Sequence, residues 1–171
     1  MKSKNLFNLL LAMMVIVSSF SVSCKSDDDG GGGGPAASGT ITAKVDGSSV
    51  TTIEMTTAAQ LSGGSLMVTG NDGGSSLNKA FVLTITSVDG TGTYPIGGGA
   101  NIFNVASYIE TDVNSLDVVT WQAPYDDSNV GEINITELTD SHVKGTFSFN
   151  AKNADGNIKN ITEGSFNVNL Q

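Results

Sequence analysis

The residues able to carry out chemistry are few and of limited kinds. His142 is the only histidine and Cys24 the only cysteine in the 171-residue chain. Catalytic triads and histidine-based zinc sites need several partner side chains. A chain with one imidazole and no second thiol cannot supply them. We therefore predict no metal site and no cofactor, and we expect His142 to be exposed on the polar side of a strand.

Carboxylates are the more numerous reactive groups. The chain holds 17 acidic residues, of which Asp27 to Asp29 form one run. A glycosidase needs only two carboxyl groups at a set separation. Several of the remaining acids, such as Asp46, Asp89 and Asp155, adjoin glycine, where aspartate typically bonds the local backbone of a turn. Turn roles are favoured, and a two-carboxylate hydrolase is the third functional hypothesis.

Two loops gather oxygen atoms of the kind that hard cations prefer. They are Asp126-Asp127-Ser128-Asn129 and Asn153-Ala154-Asp155-Gly156-Asn157. Neither matches the spacing of an EF-hand. Solvated turns are predicted for both, with calcium binding as the alternative.

Aromatic side chains could form a platform for stacking on a sugar, and the candidates are Trp121, Tyr125, Tyr94 and Tyr108. Trp121 lies in a valine-rich strand, which favours a position in the core. Tyr125 lies in an acidic loop and is the best candidate for an exposed contact. Trp121 and Tyr125 are thus the two candidate ligand-binding residues.

Cys24 closes a leader with three parts. Lys2 and Lys4 give a positive end, residues 9–17 an apolar run, and residues 18–23 a series of mostly small residues before Cys24. This is the layout of a secretory signal peptide, and the apolar run is too short to cross a bilayer comfortably. A transmembrane anchor is therefore not expected.

The residues around Cys24 resemble the lipobox of bacterial lipoproteins, with Ser21 at the place where leucine is frequent. The resemblance implies cleavage after Ser23, alkylation of Cys24 by diacylglycerol, and the lipoprotein processing machinery as a partner. Acyl burial contributes about 0.8 kcal/mol per methylene, and two or more chains hold a protein firmly. Membrane attachment through Cys24 follows.

The residues after Cys24 resemble the export tag of Gram-negative lipoproteins that reach the outside of the outer membrane. They are Lys25, Ser26, Asp27, Asp28 and Asp29. The alternative interpretation is a solvated spacer. Residues 25–38 are too poor in apolar groups to fold and are predicted to form a tether with a span of about 20 Å.

The charge balance excludes one class of partner. Cleavage before Cys24 removes two lysines and leaves six lysines against 17 acids, a net charge of −11. Nucleic acid binding needs clustered basic residues, so no nucleic acid partner is expected. No thiol remains for a disulfide, and the fold must depend on its core.

Apolar residues recur at every second position from Gly39 onward, which predicts an all-β domain of antiparallel strands. About nine strands are predicted, near residues 40–45, 50–55, 66–69, 80–88, 102–110, 116–122, 132–138, 142–151 and 158–170. We predict a β-sandwich, with a small lipocalin-like barrel as the alternative. The predicted organisation is a signal peptide (1–23), a lipidated tether (24–38) and one domain (39–171).

Several short sequence segments of the domain resemble segments of an uncharacterised family of small bacterial surface lipoproteins. They are Ala43–Gly47, Gly92–Tyr94, Gly131–Thr136, Val143–Phe149 and Thr162–Phe166. The resemblance implies a β-rich extracytoplasmic domain and brings no assigned activity.

The leading hypothesis is a non-enzymatic surface lipoprotein of the outer membrane that serves for binding or for envelope assembly. The alternative is a glycan- or small-ligand-binding accessory protein of an uptake system. An interior cavity lined by Phe81, Phe147 or Phe166 would favour ligand carriage. Two carboxylates about 5 to 10 Å apart across an open groove would favour the hydrolase.

Overall fold

The computed structural model describes residues 34–99 and 103–171. These ranges hold eleven strands and one short 3₁₀ helix, Glu54–Thr56. The strands are β1 (Thr40–Val45), β2 (Ser48–Thr51), β3 (Ala58–Ser62), β4 (Ser65–Asn71), β5 (Leu77–Ile85), β6 (Gly92–Gly97), β7 (Val105–Asp112), β8 (Val118–Ala123), β9 (Asn129–Leu138), β10 (His142–Lys152) and β11 (Ile158–Asn169).

The predicted signal peptide, the lipidation site Cys24 and the export residues 25–29 lie outside the described residues. In the part of the chain that is described, we find no helix with both the length and the apolar character needed to cross a membrane.

All eleven strands join one antiparallel sheet with the order β2-β1-β11-β10-β8-β7-β5-β4-β3. The sheet branches at β10, because β9 pairs with residues 143–149 of β10 while Lys152 pairs with Gln122 of β8. β6 pairs with β9. The sheet is not closed into a barrel and is sandwich-like. The predicted all-β sandwich is confirmed, the barrel alternative is wrong, and the strand count is eleven rather than nine.

Alternation along the strands builds the core. In β10, Val143, Phe147 and Phe149 are buried while the intervening side chains point to the opposite face. The aromatic rings meet across strands, with Phe147 5.8 Å from Phe81 and 6.4 Å from Phe166 between ring centroids. The core is therefore stabilised by aromatic contacts beyond area burial.

Three glycines of the sheet each face a phenylalanine directly across the ladder. The pairs are Gly145–Phe166, Gly164–Phe147 and Gly131–Phe149. A Cβ added to Gly145 would lie 2.4 Å from Cζ of Phe166, so the ring occupies the space of the missing side chain. These glycine–phenylalanine pairs are the device by which an aromatic ring covers a glycine within a strand.

One predicted strand boundary was wrong and one strand was missed near the start of the domain. The second strand ends at Thr51 rather than near Met55, because the Thr52 hydroxyl turns inward and accepts a hydrogen bond from the backbone N–H of Ile41 at 2.8 Å. β3 (Ala58–Ser62) was not predicted, since only Leu61 among its residues resembles a strand former. The strand is formed through its pairing with β4, because its own residues have low strand propensity.

Candidate functional site

The outer face of six neighbouring strands carries a row of small polar side chains. Each residue is the direct cross-strand partner of the next, which places them on one face of the sheet. The row consists of Thr93 on β6, Asn134 on β9, Thr146 on β10, Ser165 on β11, Thr42 on β1 and Thr51 on β2. We call it the hydroxyl row. Hydrogen bonds join its members at both ends, at 3.3 Å between Thr93 and Asn134 and 3.1 Å between Thr42 and Thr51.

Residues 34–38, which we call the strap, cross this face. Ser165 Oγ donates to the carbonyl of Gly34 at 3.2 Å, and Asn167 Nδ2 donates to the carbonyl of Ala36 at 3.2 Å. Ala36 is buried. The composition of these residues predicts a tether without contacts, whereas in the structure they lie against β11.

A groove of about 400 Å³ lies beside the strap. Gly34 and Pro35 form one wall, and its other lining comes from β9, β10 and β11. A smaller pocket of about 120 Å³ lies along Pro35 and Ala36. Thr146 and Ser165 of the hydroxyl row line both, so the strap separates two depressions on one face of the sheet.

Two carboxylates line the groove on either side of Ser148. Glu132 stands opposite Ser148 on β9, and Glu163 lies in the irregular stretch of β11 on the other side. Because β10 separates their strands, the two backbones lie about 10 Å apart. Glu163 is paired with Lys44 at 2.9 Å, and both carboxylates are exposed. A glycosidase acid is usually kept protonated by burial in apolar surroundings, whereas these two carboxylates are exposed to solvent.

His142 lies at one end of the same face. The predicted polar side is correct but the predicted exposure is wrong, because the side chain is only 18 % exposed. Nδ1 lies 3.1 Å from Glu137 Oε1, and Nε2 lies 2.6 Å from Asn167 Oδ1. Lys144 donates to the other oxygen of Glu137 at 3.1 Å. Hydrogen bonds from Lys144 and then from His142 lower the pKa of Glu137.

The structure removes Trp121 from the candidate ligand-binding residues. Its side chain faces the core and is 7 % exposed, as the valine-rich strand indicated. Its Nε1 has no hydrogen-bond partner among the described residues. Lys159 Nζ lies 4.6 Å from the centre of the indole and 3.1 Å from Glu110 Oε1, which places a cation over the ring.

Tyr108 completes this interior cluster and is also buried. Its hydroxyl donates to Glu110 at 2.9 Å. Burial, followed by this hydrogen bond, raises the pKa of Tyr108 well above the usual value. These contacts join four side chains into one packed cluster: Tyr108, Glu110, Trp121 and Lys159. Tyr108 is buried in it and offers no surface for stacking on a sugar.

Tyr125 and Tyr94 are half-buried rather than freely exposed. Tyr125 packs against the core and has Lys152 Nζ 5.6 Å from its ring centre. The Tyr94 hydroxyl donates at 2.8 Å to Asp89, which lies just before β6. Neither residue lines the groove, so the four predicted aromatics are not brought together.

The two oxygen-rich loops are organised as turns. Asp126 accepts hydrogen bonds from the hydroxyl and the backbone N–H of Ser128, and these lower its pKa. Asn153 Oδ1 accepts from the N–H of Asn157 at 2.8 Å. Over residues 34–99 and 103–171, no group of three or more histidine, cysteine, aspartate or glutamate side chains is placed to hold a metal ion.

The three phenylalanines named for an interior cavity belong to the core, and Phe147 also lines the groove while Phe166 lines the smaller pocket. Phe81, Phe147 and Phe166 are each at most 3 % exposed and contact one another through Phe147. The three rings themselves therefore fill this part of the interior. The open space lies outside, on the polar face.

Sequence reasoning missed the hydroxyl row, the strap and the groove. Small polar residues occupy alternate, outward-facing positions of β10 and β11. This pattern was the available sequence signal for the hydroxyl row. Their alignment depends on register, which only the paired strands reveal.

No curated protein and no solved structure matches the chain. One protein-family model does match, over residues 37–168, and its description is a domain of unknown function, DUF6252. The match covers most of the chain, including every residue of the hydroxyl row. The chain is therefore a member of the DUF6252 family.

Proposed function

We propose that the protein is a lipid-anchored lipoprotein of the outer membrane that presents a non-catalytic β-domain on the cell surface for binding or envelope assembly. The observation that carries the proposal is the sequence from Lys2 to Asp29, with its leader, its single cysteine and its acidic run. The domain adds support, because its acids serve local roles as turn acceptors and ion pairs, as at Asp126 and Glu163.

The test of location is protease shaving of intact cells. Three strains express the wild type, a variant with Asp27 to Asp29 replaced by alanine, and a control with Asp126→Ala and Asp127→Ala. We expect protease to remove the wild type and the control but not the export variant. Equal cleavage of all three proteins contradicts the role of the acidic run.

The test of anchoring is mass spectrometry of the membrane-extracted protein. A fatty-acylated N-terminal peptide beginning at Cys24 is expected in the wild type. A Cys24→Ser variant should appear without acyl chains in the soluble fraction. An unmodified wild-type cysteine refutes the proposal.

A second candidate function is the binding of a neutral glycan on the outer face. The observation that favours it is the groove of about 400 Å³ beside the hydroxyl row, because sugar hydroxyls pair well with fixed donors and acceptors. Exposed acids at its rim disfavour anionic sugars. Binding of purified protein to a polysaccharide panel tests this, with Thr146→Val as the variant and Thr120→Val, on the exposed part of β8, as its control. Loss with the first variant alone supports the site.

The same panel separates binding from hydrolysis. Release of shortened sugars that disappears in both Glu132→Gln and Glu163→Gln would establish the two-carboxylate reaction in place of binding. Retained binding without products supports the non-catalytic role.

A further inference from the structure

We propose that the protein associates with a second copy of itself through the outer face of β3, β4, β5, β7 and β8. The outward positions of these strands are every second residue, counted from Ala58, Met67, Asn78, Val105 and Val118. We call them the uncharged face. The inference goes beyond the proposed function, because it depends neither on lipid anchoring nor on the binding of a glycan.

The uncharged face lies on the opposite side of the core from the hydroxyl row. In β5, Val82 lies between Phe81 and Leu83, which are buried in the core. Phe81 meets Phe147 of β10 across the core, with 5.8 Å between the ring centroids. Because successive side chains of a strand point to opposite faces, Val82 points away from β10 and toward solvent.

The register of the strands makes this face continuous. Direct cross-strand partners lie side by side on one face of a sheet. The row through the centre of the face consists of Ala58 on β3, Thr69 on β4, Val82 on β5, Ser107 on β7 and Gln122 on β8. The row beside it consists of Asn71, Ala80, Ile109 and Thr120. Every residue of the two rows is at least partly open to solvent.

The outward positions of these five strands, all within the described residues, hold no aspartate, glutamate, lysine or histidine. The chain as a whole has 17 acidic residues. The outer face that carries the hydroxyl row, in contrast, has charged side chains, among them Lys44, Glu132, Lys144 and Glu163. Depletion of charged residues is the composition that marks the core of a protein interface.

Apolar side chains occupy the middle of the uncharged face. Ala80 and Ile109 are direct cross-strand partners, and Val82 follows Ala80 at the next outward position of β5. Toward the flanks, Met67 is 40 % exposed and Val118 is 61 % exposed. A second surface that covers these side chains would remove apolar area from water, which drives association.

The polar groups of the uncharged face fit an identical face. Serine, threonine, asparagine and glutamine side chains each donate and accept hydrogen bonds, so two copies related by a twofold axis can pair like with like. A basic or an acidic partner would find no opposite charge on this face. A second copy also has the same right-handed twist, and two such sheets pack face to face with their strands about 30° apart.

The size of the uncharged face reaches the lower limit for a stable dimer. Five strands spaced about 4.8 Å apart are about 24 Å wide, and the outward residues of β5, from Asn78 to Thr84, span about 20 Å. Each copy would therefore bury about 500 Å² and the pair about 1,000 Å², which is the smallest area expected of a specific interface. We expect a dimer with a dissociation constant in the micromolar range.

Photo-crosslinking in cells that express the full chain identifies the occupant of the face. A photoreactive amino acid replaces Val82 in one strain and Asn150, an exposed outward residue of β10, in the control strain. We expect illumination to give a product of twice the monomer mass from the Val82 position, with both cross-linked peptides from this chain, and little from the Asn150 position. A Val82 position that crosslinks only to another protein, to a glycan or to nothing overturns the proposal, as do equal yields at the two positions.

Charge substitutions measure the interface in the purified protein. In Val82→Glu each copy brings a carboxylate to the same uncharged interface, so the dissociation constant measured by sedimentation velocity should rise at least about 100-fold. Asn150→Glu adds the same charge on the opposite outer face and should leave the constant unchanged. A wild type that stays monomeric at about 0.1 mM, or an equal effect of the two substitutions, refutes the interface.

A second variant separates loss of the interface from loss of the fold. Ile109→Lys places a charge of opposite sign on β7, and circular dichroism should show the strand content of the wild type in both charge variants because both side chains can reach solvent in the monomer. Each variant should be monomeric alone, whereas their mixture should associate because the charges are now opposite. A folded mixture that remains monomeric contradicts a twofold interface centred on β5 and β7.

Discussion

Substitution of Gly145 by alanine tests whether the glycine–phenylalanine pairs determine the packing of the core. The new Cβ would lie 2.4 Å from Phe166 Cζ and 2.4 Å from the carbonyl oxygen of Asn134, about 1.0 Å inside the 3.4 Å of ordinary contact. Phe166 is 2 % exposed, and its ring packs on Phe147 with 6.4 Å between the ring centroids. Overpacking of this kind costs about 1–3 kcal/mol.

An opposing term comes from the unfolded chain. Replacing glycine by alanine stabilises by about 0.4–1 kcal/mol where the backbone permits it, and the φ angle of Gly145 is not in the left-handed region. The net expectation is a loss of about 1–2 kcal/mol in the free energy of unfolding, measured by urea titration. Gly34→Ala is the control, because no atom lies within 4 Å of the position that its Cβ would take, and it should change stability by less than about 0.5 kcal/mol.

A second variant identifies the ring as the obstacle. In Gly145→Ala with Phe166→Leu, the shorter side chain leaves part of the space for the new methyl group. The loss in the double variant should therefore be smaller than the sum of the single losses by about 1 kcal/mol. If Gly145→Ala is as stable as Gly34→Ala, the reasoning from close packing is refuted.

Three further predictions concern other contacts. Lys159→Met should lower the free energy of unfolding by about 2 kcal/mol because Glu110 loses its cation, and the double variant Glu110→Leu with Lys159→Met should lose less, as urea titration can measure. The raised pKa of Tyr108 means that the folded state favours the neutral phenol, so stability should fall as pH rises above about 10, and ultraviolet absorbance should show ionisation of Tyr108 only together with unfolding. Calcium at about 5 mM should leave the melting temperature unchanged, because Asp126 is engaged by Ser128; a rise would restore the calcium alternative.

Alternation in the sequence predicted the later strands well because each of them buries one face. β10 and β11 lie within one or two residues of the predicted bounds, and Asp46 and Gly47 form the predicted hairpin with φ of 49° and 84°. These elements depend on local pattern and on turn chemistry. Both can be read from neighbouring residues.

The parts that sequence could not predict depend on contacts between distant residues. β3 is stabilised by β4 rather than by its own composition, and the carbonyl of the strap residue Ala36 accepts a hydrogen bond from Asn167, far along the chain. Glu132 and Glu163 share a groove only because β10 separates their strands. A single sequence gives no register between such segments, so the candidate site emerged from the structure.

The position of β11 affects when this domain can form. β11 follows every other described strand in chain order, yet it lies between β1 and β10 and bonds to both. A chain that emerges from its N-terminus exposes β1 long before β11, whereas β10 precedes β11 by only the turn at residues 153–157. Non-local pairing of this kind is slow to form. A product that terminates before Ile158 would therefore leave the edges of β1 and β10 unpaired, and such open strand edges are templates for aggregation.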